Sequence, residues 1–159
     1  MDDLICEIRS LLELGYEGGY WDFKSDYPDK NKKEDKLHDI ICMANNLEDR
    51  DAYLIYGAND DGTIKGIQNT EKQRLKTADF IKFLRDKNFA GGFIPDIKLQ
   101  TIVIDNNELD ILIIRRGKHT PYYLQKDYYE SSPKEKLRAG AIYTRTADIC
   151  LLYTSPSPR

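Results

Sequence analysis

Nowhere in its 159 residues does the chain carry an apolar run approaching the roughly 20 positions that cross a bilayer, so no membrane-spanning helix is expected. Its start, Met1-Asp2-Asp3, is acidic and lacks the basic opening of a secretory signal. Cysteine is scarce: Cys6, Cys42 and Cys150 are odd in number and widely spaced, which excludes a zinc pattern and a disulfide framework and suits a reducing compartment. The chain therefore reads as cytoplasmic, with Cys6 and Cys42 on apolar helix faces as small core residues. An excess of basic charge is also missing. The formal net charge of −3 counts against a generic nucleic-acid coat protein, so any phosphate contact must come from a local patch. No Gly-x-x-x-x-Gly-Lys-Ser/Thr loop is present, and nothing at residue level supports ATP binding. Neither His38 nor His119 has a convincing catalytic partner; His38 reads as a boundary residue, His119 at best as a phosphate contact.

What is present is enough for one folded domain. Apolar residues make up 40% of the chain and recur in organised blocks, which excludes disorder. Asp2 or Asp3 caps a first helix whose apolar residues Leu4, Ile5, Ile8, Leu11 and Leu12 share a face, and Gly15 ends it. Tyr20 to Lys24 alternates as a strand. A lysine-rich loop follows, and Leu37, Ile40, Ile41 and Ala44 mark a second helix over 33–46. Ala52 to Ala58 is a short apolar run, expected as a central strand. Asn59-Asp60-Asp61-Gly62 signals a turn, with Thr63–Ile67 as the returning strand. Thr70 and Gln73 suggest a capping box, opening a helix that turns Leu75, Ala78, Ile81 and Leu84 inward. Strands over 97–104 and 109–115 flank a second turn, and residues 139–145 read as a last strand. This order predicts an α+β fold: a single mixed, largely antiparallel sheet packed with about three helices. The domain is placed at 1–148. Residues 149–159 depart in composition and read as a non-native tail of translated sequencing adapter, the alternative being a genuine proline–serine tail.

Three acids stand out by position. Glu17 follows the first helix, Asp22 sits inside the first strand, and Asp60 lies in the turn after the central strand. Asp22 alternates with Trp21 and Phe23 and so points away from the face those two bury. Carboxylates brought together from a strand end and a turn repel unless one is protonated or a hard divalent cation, Mg²⁺ or Mn²⁺, joins them. Lys24 faces the same way as Asp22 and can steady a phosphate or an attacking water. Acid-x-lysine plus two further acids is a kit for metal-assisted phosphodiester cleavage. With 27 acidic residues in the chain, surface salt bridging accounts for the same trio.

The run from Glu17 through Trp21-Asp22-Phe23-Lys24, then Ala44-Asn45-Asn46, then Gly57-Ala58-Asn59-Asp60-Asp61-Gly62 with Gly66-Ile67, resembles the AlbA_2 domain of the Schlafen family. Thr120-Pro121-Tyr122 and Tyr143-Thr144-Arg145 match that family's proline–aromatic loop and Tyr-x-Arg strand. The resemblance covers nearly the whole chain to Asp148. It implies association with nucleic acid, RNA in preference to DNA, and in the family's ribonucleases a metal site that cuts structured RNA such as tRNA. The matching positions are Glu17, Asp22 and Asp60; Asp22 departs from the family's usual glutamate by one methylene. Those ribonucleases pair two such lobes, so a homodimer is implied here. Other relatives are DNA- or ATP-binding modules attached to regulators.

Basic residues fall in three groups: Lys30, Lys32, Lys33 and Lys36; Arg115, Arg116, Lys118 and His119; and Lys134, Lys136, Arg138 and Arg145. Convergence of two groups would give a salt-sensitive phosphate contact, whereas the interleaved acids Glu34, Asp35 and Glu135 fit a solvated mixed surface. Tyr122, Tyr123, Tyr128 and Tyr129 crowd one loop, as base-stacking groups or as pins that hold it to the sheet. Two functions follow. One is a metal-dependent endoribonuclease using Glu17, Asp22, Lys24 and Asp60. The other is a non-catalytic nucleic-acid-binding, regulatory or interaction module.

Overall fold

The computed structural model describes residues 2–27, 33–67, 74–129, 137–147 and 149–154. Helix α1 (Asp2–Leu14) ends where Gly15 takes a left-handed φ of 76°. Strand β1 (Trp21–Lys24), helix α2 (Lys33–Ala44) and strand β2 (Ala52–Tyr56) follow, then helix α3 (Thr77–Arg85), the hairpin β3 (Ile97–Ile104) and β4 (Asn107–Ile114), and the hairpin β5 (Ala141–Thr146) and β6 (Ile149–Thr154). The main sheet has the order β1-β2-β4-β3, parallel only between β1 and β2. The α+β architecture expected from the sequence is the one observed. No helix among the described residues is long and apolar enough to cross a membrane.

Alternation along β2 divides the core. Ile55 joins Trp21, Phe23 and Ile111 on the face covered by Ile8, Leu11 and Leu12 of α1. Leu54 and Tyr56 join Leu112 and Ile114 on the opposite face, under Leu37, Ile40 and Ile41 of α2 and Phe80 and Leu84 of α3. Because Asp22 is in register with Leu54, and Lys24 with Tyr56, both side chains fall on the α2 face. Helix α2 is buried nearly all round, since β5 packs on its other side.

Several expectations are corrected. Thr63–Ile67 is not a strand: its one sheet-like link is the Ala58–Ile64 bridge. Lys65 and Gly66 instead donate their N–H groups to Gly57 O, and Ile67 donates to Glu108 O, so the segment folds over the end of β4. Helix α3 opens at Thr77, with the Asp79 carboxylate accepting the N–H of Lys76; Thr70 and Gln73 lie outside the described residues. Its buried residues are Phe80 and Leu84, whereas Ala78 is exposed. Cys42 is buried but Cys6 is exposed, because two positions before Ile8 is about 200° around the helix. Strand β6 pairs with β5 from Thr146–Ile149 to Ala141–Thr154. The strand-favouring residues Ile149, Tyr153 and Thr154 suit this pairing whatever their origin.

Candidate functional site

Two local devices bring the predicted acids together. The β1–β2 parallel pairing carries the chain out of both strands in the same direction, and the end is clamped where Gly57 and Ala58 donate to Lys24 O. Beyond it, the turn at 59–63 is closed by Asn59 N–H to Thr63 O and by the Asp61 carboxylate, which accepts from both the amide and the hydroxyl of Thr63. Gly62, at φ 84°, presses against the end of α1; a Cβ there would sit 2.3 Å from Leu12 O. The turn bearing Asp60 is therefore docked beside the segment bearing Glu17.

The result is a groove of about 340 Å³ whose lining includes Glu17, Asp22, Lys24 and Asp60. Asp35, Lys36 and Asp39 of α2 line it as well, as do Asp26 and the buried Tyr56. Asp35 and Asp39 were not singled out by the sequence reading. The signal for them was an i, i+4 pair of acids on the helix that crosses over between the two parallel strands.

Charge in this groove is tightly distributed. Glu17 Oε2 accepts the Phe23 N–H at 2.8 Å. Burial, followed by the hydrogen bond and negative charge of Asp22, pushes the Glu17 carboxyl from 4.5 up to about 8. Burial also opposes ionisation of Asp22, but the proton shared with Glu17 and the charges of Lys24 and Arg145 outweigh it and hold Asp22 below the usual carboxylate range. Lys24 Nζ lies 2.9 Å from Asp22 Oδ2 and 2.9 Å from Asp39 Oδ2. Burial works against the Lys24 charge, yet Asp39 and Asp22 raise its pKa above the ordinary lysine range. Asp22 Oδ2 is buried and faces the Lys24 ammonium. Arg145 completes the arrangement. Buried beside β1, its Nη2 donates to Asp22 Oδ1 at 3.1 Å and to Trp21 O, and its Nε donates to Gly18 O and Ala147 O.

The expected metal trio is thus gathered in one groove but not closed. Among the described residues no three acidic, histidine or cysteine side chains converge as a metal-holding set. Asp22 is turned to Arg145 and Lys24, Glu17 to a backbone amide, and Asp60 is exposed.

The other expected contacts divide. Arg145 is 3% exposed and internally committed, so it is not a phosphate contact. Tyr122 is buried, and its N–H and C=O are both bound by the Asn45 side chain, which makes it a pin rather than a stacking group. Arg116 pairs with Asp49 at 2.9 Å, and Arg115 lies 3.9 Å from Asp96. Lys36 lines the acidic groove, its ammonium 4.1 Å from the Phe83 ring centre. Lys33 opens α2, while Lys118 and Arg138 are exposed. Lys30, Lys32, Lys134 and Lys136 lie outside the described residues.

The raised Glu17 carboxyl has a measurable consequence without any ligand. Its folded-state pKa exceeds its unfolded value, so the folded chain holds the proton more tightly, and stability falls as pH rises from about 4.5 through 8. Burial lowers the pKa of His38, whose linkage has the opposite sign below 6.5, leaving pH 6.5–8 as the clean window. The carboxyl is only half-buried, and screening reduces the effect to about 1–2 kcal/mol. Thermal melts in EDTA at pH 6.5 and 8.5 should show this loss in the wild type and a flat response in Glu17→Gln. A slope that persists in the variant would assign it to another group.

A family model described as Schlafen, AlbA_2 matches residues 17–153. Among solved structures, the DIP2311 protein from Corynebacterium diphtheriae is similar in fold, with a TM-score of 0.54 and 18% sequence identity. That similarity covers 96% of this chain and 26% of the other, so the chain spans about a quarter of that protein. No match was found among curated proteins.

Proposed function

Because the chain belongs to the Schlafen AlbA_2 family, we propose that it is a nucleic-acid-binding domain whose acidic groove is a divalent-cation-dependent endoribonuclease site. The observation that carries this reading is the common groove: Glu17, Asp22, Lys24 and Asp60, from three separate parts of the chain, line one cavity. Its donor chemistry fits a hard cation. The candidate ligands are carboxylates, and burial together with the neighbouring Asp22 raises the Glu17 carboxyl to about 8. Glu17, Asp22 and Asp60 would hold Mg²⁺ or Mn²⁺, which supplies activation of water and neutralisation of the phosphodiester charge. Lys24, held between Asp22 and Asp39, presents a fixed positive charge to a phosphate oxygen. Glu17 must surrender its proton for the groove to reach full charge.

RNA is favoured over DNA on the family resemblance to ribonucleases, and a second copy of the chain would supply the opposing lobe. The free thiols of Cys6 and Cys42 suit a cytoplasmic setting. A second reading, binding without cleavage, is favoured by one observation: both Asp22 oxygens face cations of the protein itself.

Incubation of the purified chain with labelled tRNA and single-stranded DNA, in Mn²⁺ or EDTA, separates the two. Cleavage of tRNA in Mn²⁺ that EDTA stops is the expected result. Salt-sensitive binding with no product would establish the second reading. No binding and no product would remove both.

A further inference from the structure

Beyond the C-terminal end of α3 the chain builds a feature that the acidic groove does not use. Phe93 and His119 lie face to face, with ring centres 3.6 Å apart and planes 5° from parallel. Both are exposed, Phe93 at 48%, whereas Phe23, Phe80 and Phe89 are buried. The shelf is rigidly mounted. Gly91 takes φ 73° and leaves space for the Phe93 ring, which a Cβ would approach to 3.3 Å. The segment is tied to the loop carrying His119 by Ala90 N–H to Tyr123 O and Gln125 N–H to Asn88 O.

Beside Phe93 lies a cavity of about 600 Å³. Arg85, Lys87, Asn88 and Gln125 contribute to its lining, which among the described residues includes no carboxylate, whereas the acidic groove and the cavity beside Asn45 both include them. Lys87 is positioned over the rings of Phe83 and Tyr128, at 4.5 and 4.2 Å. In a chain of net charge −3, a cationic cavity bordered by an exposed aromatic pair is complementary to an anionic, flat-ringed ligand.

We infer that the Phe93–His119 pair is a stacking shelf for an unpaired base of single-stranded RNA, with Arg85 receiving a neighbouring phosphate. A planar base stacked on the exposed ring extends the existing pair, and a cation beside it suits the charged backbone of a polynucleotide. The site is distinct from the acidic groove in every lining residue. It rests on the reading of the domain as a nucleic-acid binder and not on the reading that it cleaves.

The test is fluorescence anisotropy in EDTA with a labelled 12-nucleotide oligouridine and a labelled abasic strand of the same length. Phe93→Ala should weaken oligouridine binding roughly 5- to 100-fold and leave the abasic strand almost unchanged. Arg85→Glu should weaken both and reduce the salt dependence. Phe93 is exposed, and circular dichroism of each variant will report its folding; Phe93→Leu, which keeps the apolar surface but not the ring, should behave like the alanine variant. Equal oligouridine binding by wild type and Phe93→Ala overturns the shelf but leaves the nucleic-acid reading standing. A wild-type chain that binds neither strand nor tRNA removes both, and a loss of equal size on the abasic strand assigns the cavity to phosphate alone and overturns the stacking.

Discussion

Replacing Arg145 with methionine is expected to lower the melting temperature by about 10–15 °C, a loss of about 3–5 kcal/mol. Its guanidinium is 4% exposed and donates to Asp22 and to three backbone carbonyls, of Gly18, Trp21 and Ala147. Truncation leaves a buried carboxylate partly compensated by Lys24 alone, and strips the segment before β1 of its hydrogen-bond donors. The charge by itself is not what matters. Arg145→Lys should recover little, because a single ammonium cannot serve acceptors spread around a planar fork. Adding Asp22→Asn to Arg145→Met should restore part of the loss by removing the uncompensated charge. A melting temperature within about 2 °C of wild type for Arg145→Met would show that water replaces the guanidinium, and the pair would lose its structural role.

The second large effect concerns activity without stability. Asp60→Ala should reduce metal-dependent cleavage of tRNA by at least about 100-fold, the scale on which removing a ligand or its support acts in metal sites. It should leave the melting temperature nearly unchanged, since exposed substitutions away from special features fall within about 0.5 kcal/mol. The turn is built by its neighbours: Asn59 and Asp61 bind Thr63, and Gly62 docks on α1. Adjacent carboxylates thus have opposite expected behaviour. Asp61→Ala should loosen the turn, and Asp60→Ala should silence it. Cleavage at wild-type rate by Asp60→Ala would move the chemistry out of this groove.

The readable part of the fold was whatever short-range pattern determines. The β3–β4 hairpin follows from two apolar runs around Asp105-Asn106, both of which take the left-handed backbone that a two-residue turn demands. The β1 alternation placed Asp22 opposite Trp21 and Phe23, and Asp22 does lie on the other face of the sheet. The common location of Glu17, Asp22, Lys24 and Asp60 was legible too, through motif order. What sequence could not supply was commitment. Arg145 reads as a surface cation until its partner, 123 residues away, is seen to be buried with it. Tyr122 reads as a loop aromatic until Asn45, 77 residues away, is seen to bind its backbone on both sides. Chain return at Thr63–Ile67 looked like a strand because a strong turn signal precedes it, but Gly57 O takes two of its amides and ends the ladder.

The Arg145 contacts also bear on the order of synthesis. Asp22 and the carbonyl of Gly18 leave the ribosome long before the residue that neutralises and binds them, and Asn45 waits likewise for Tyr122 and Tyr143. Until β5 emerges, the nascent chain holds an acid in its prospective interior with only Lys24 beside it, and an asparagine without its clients. Vectorial growth from the N-terminus therefore cannot close this domain piece by piece; closure is a late event that requires almost the entire described chain.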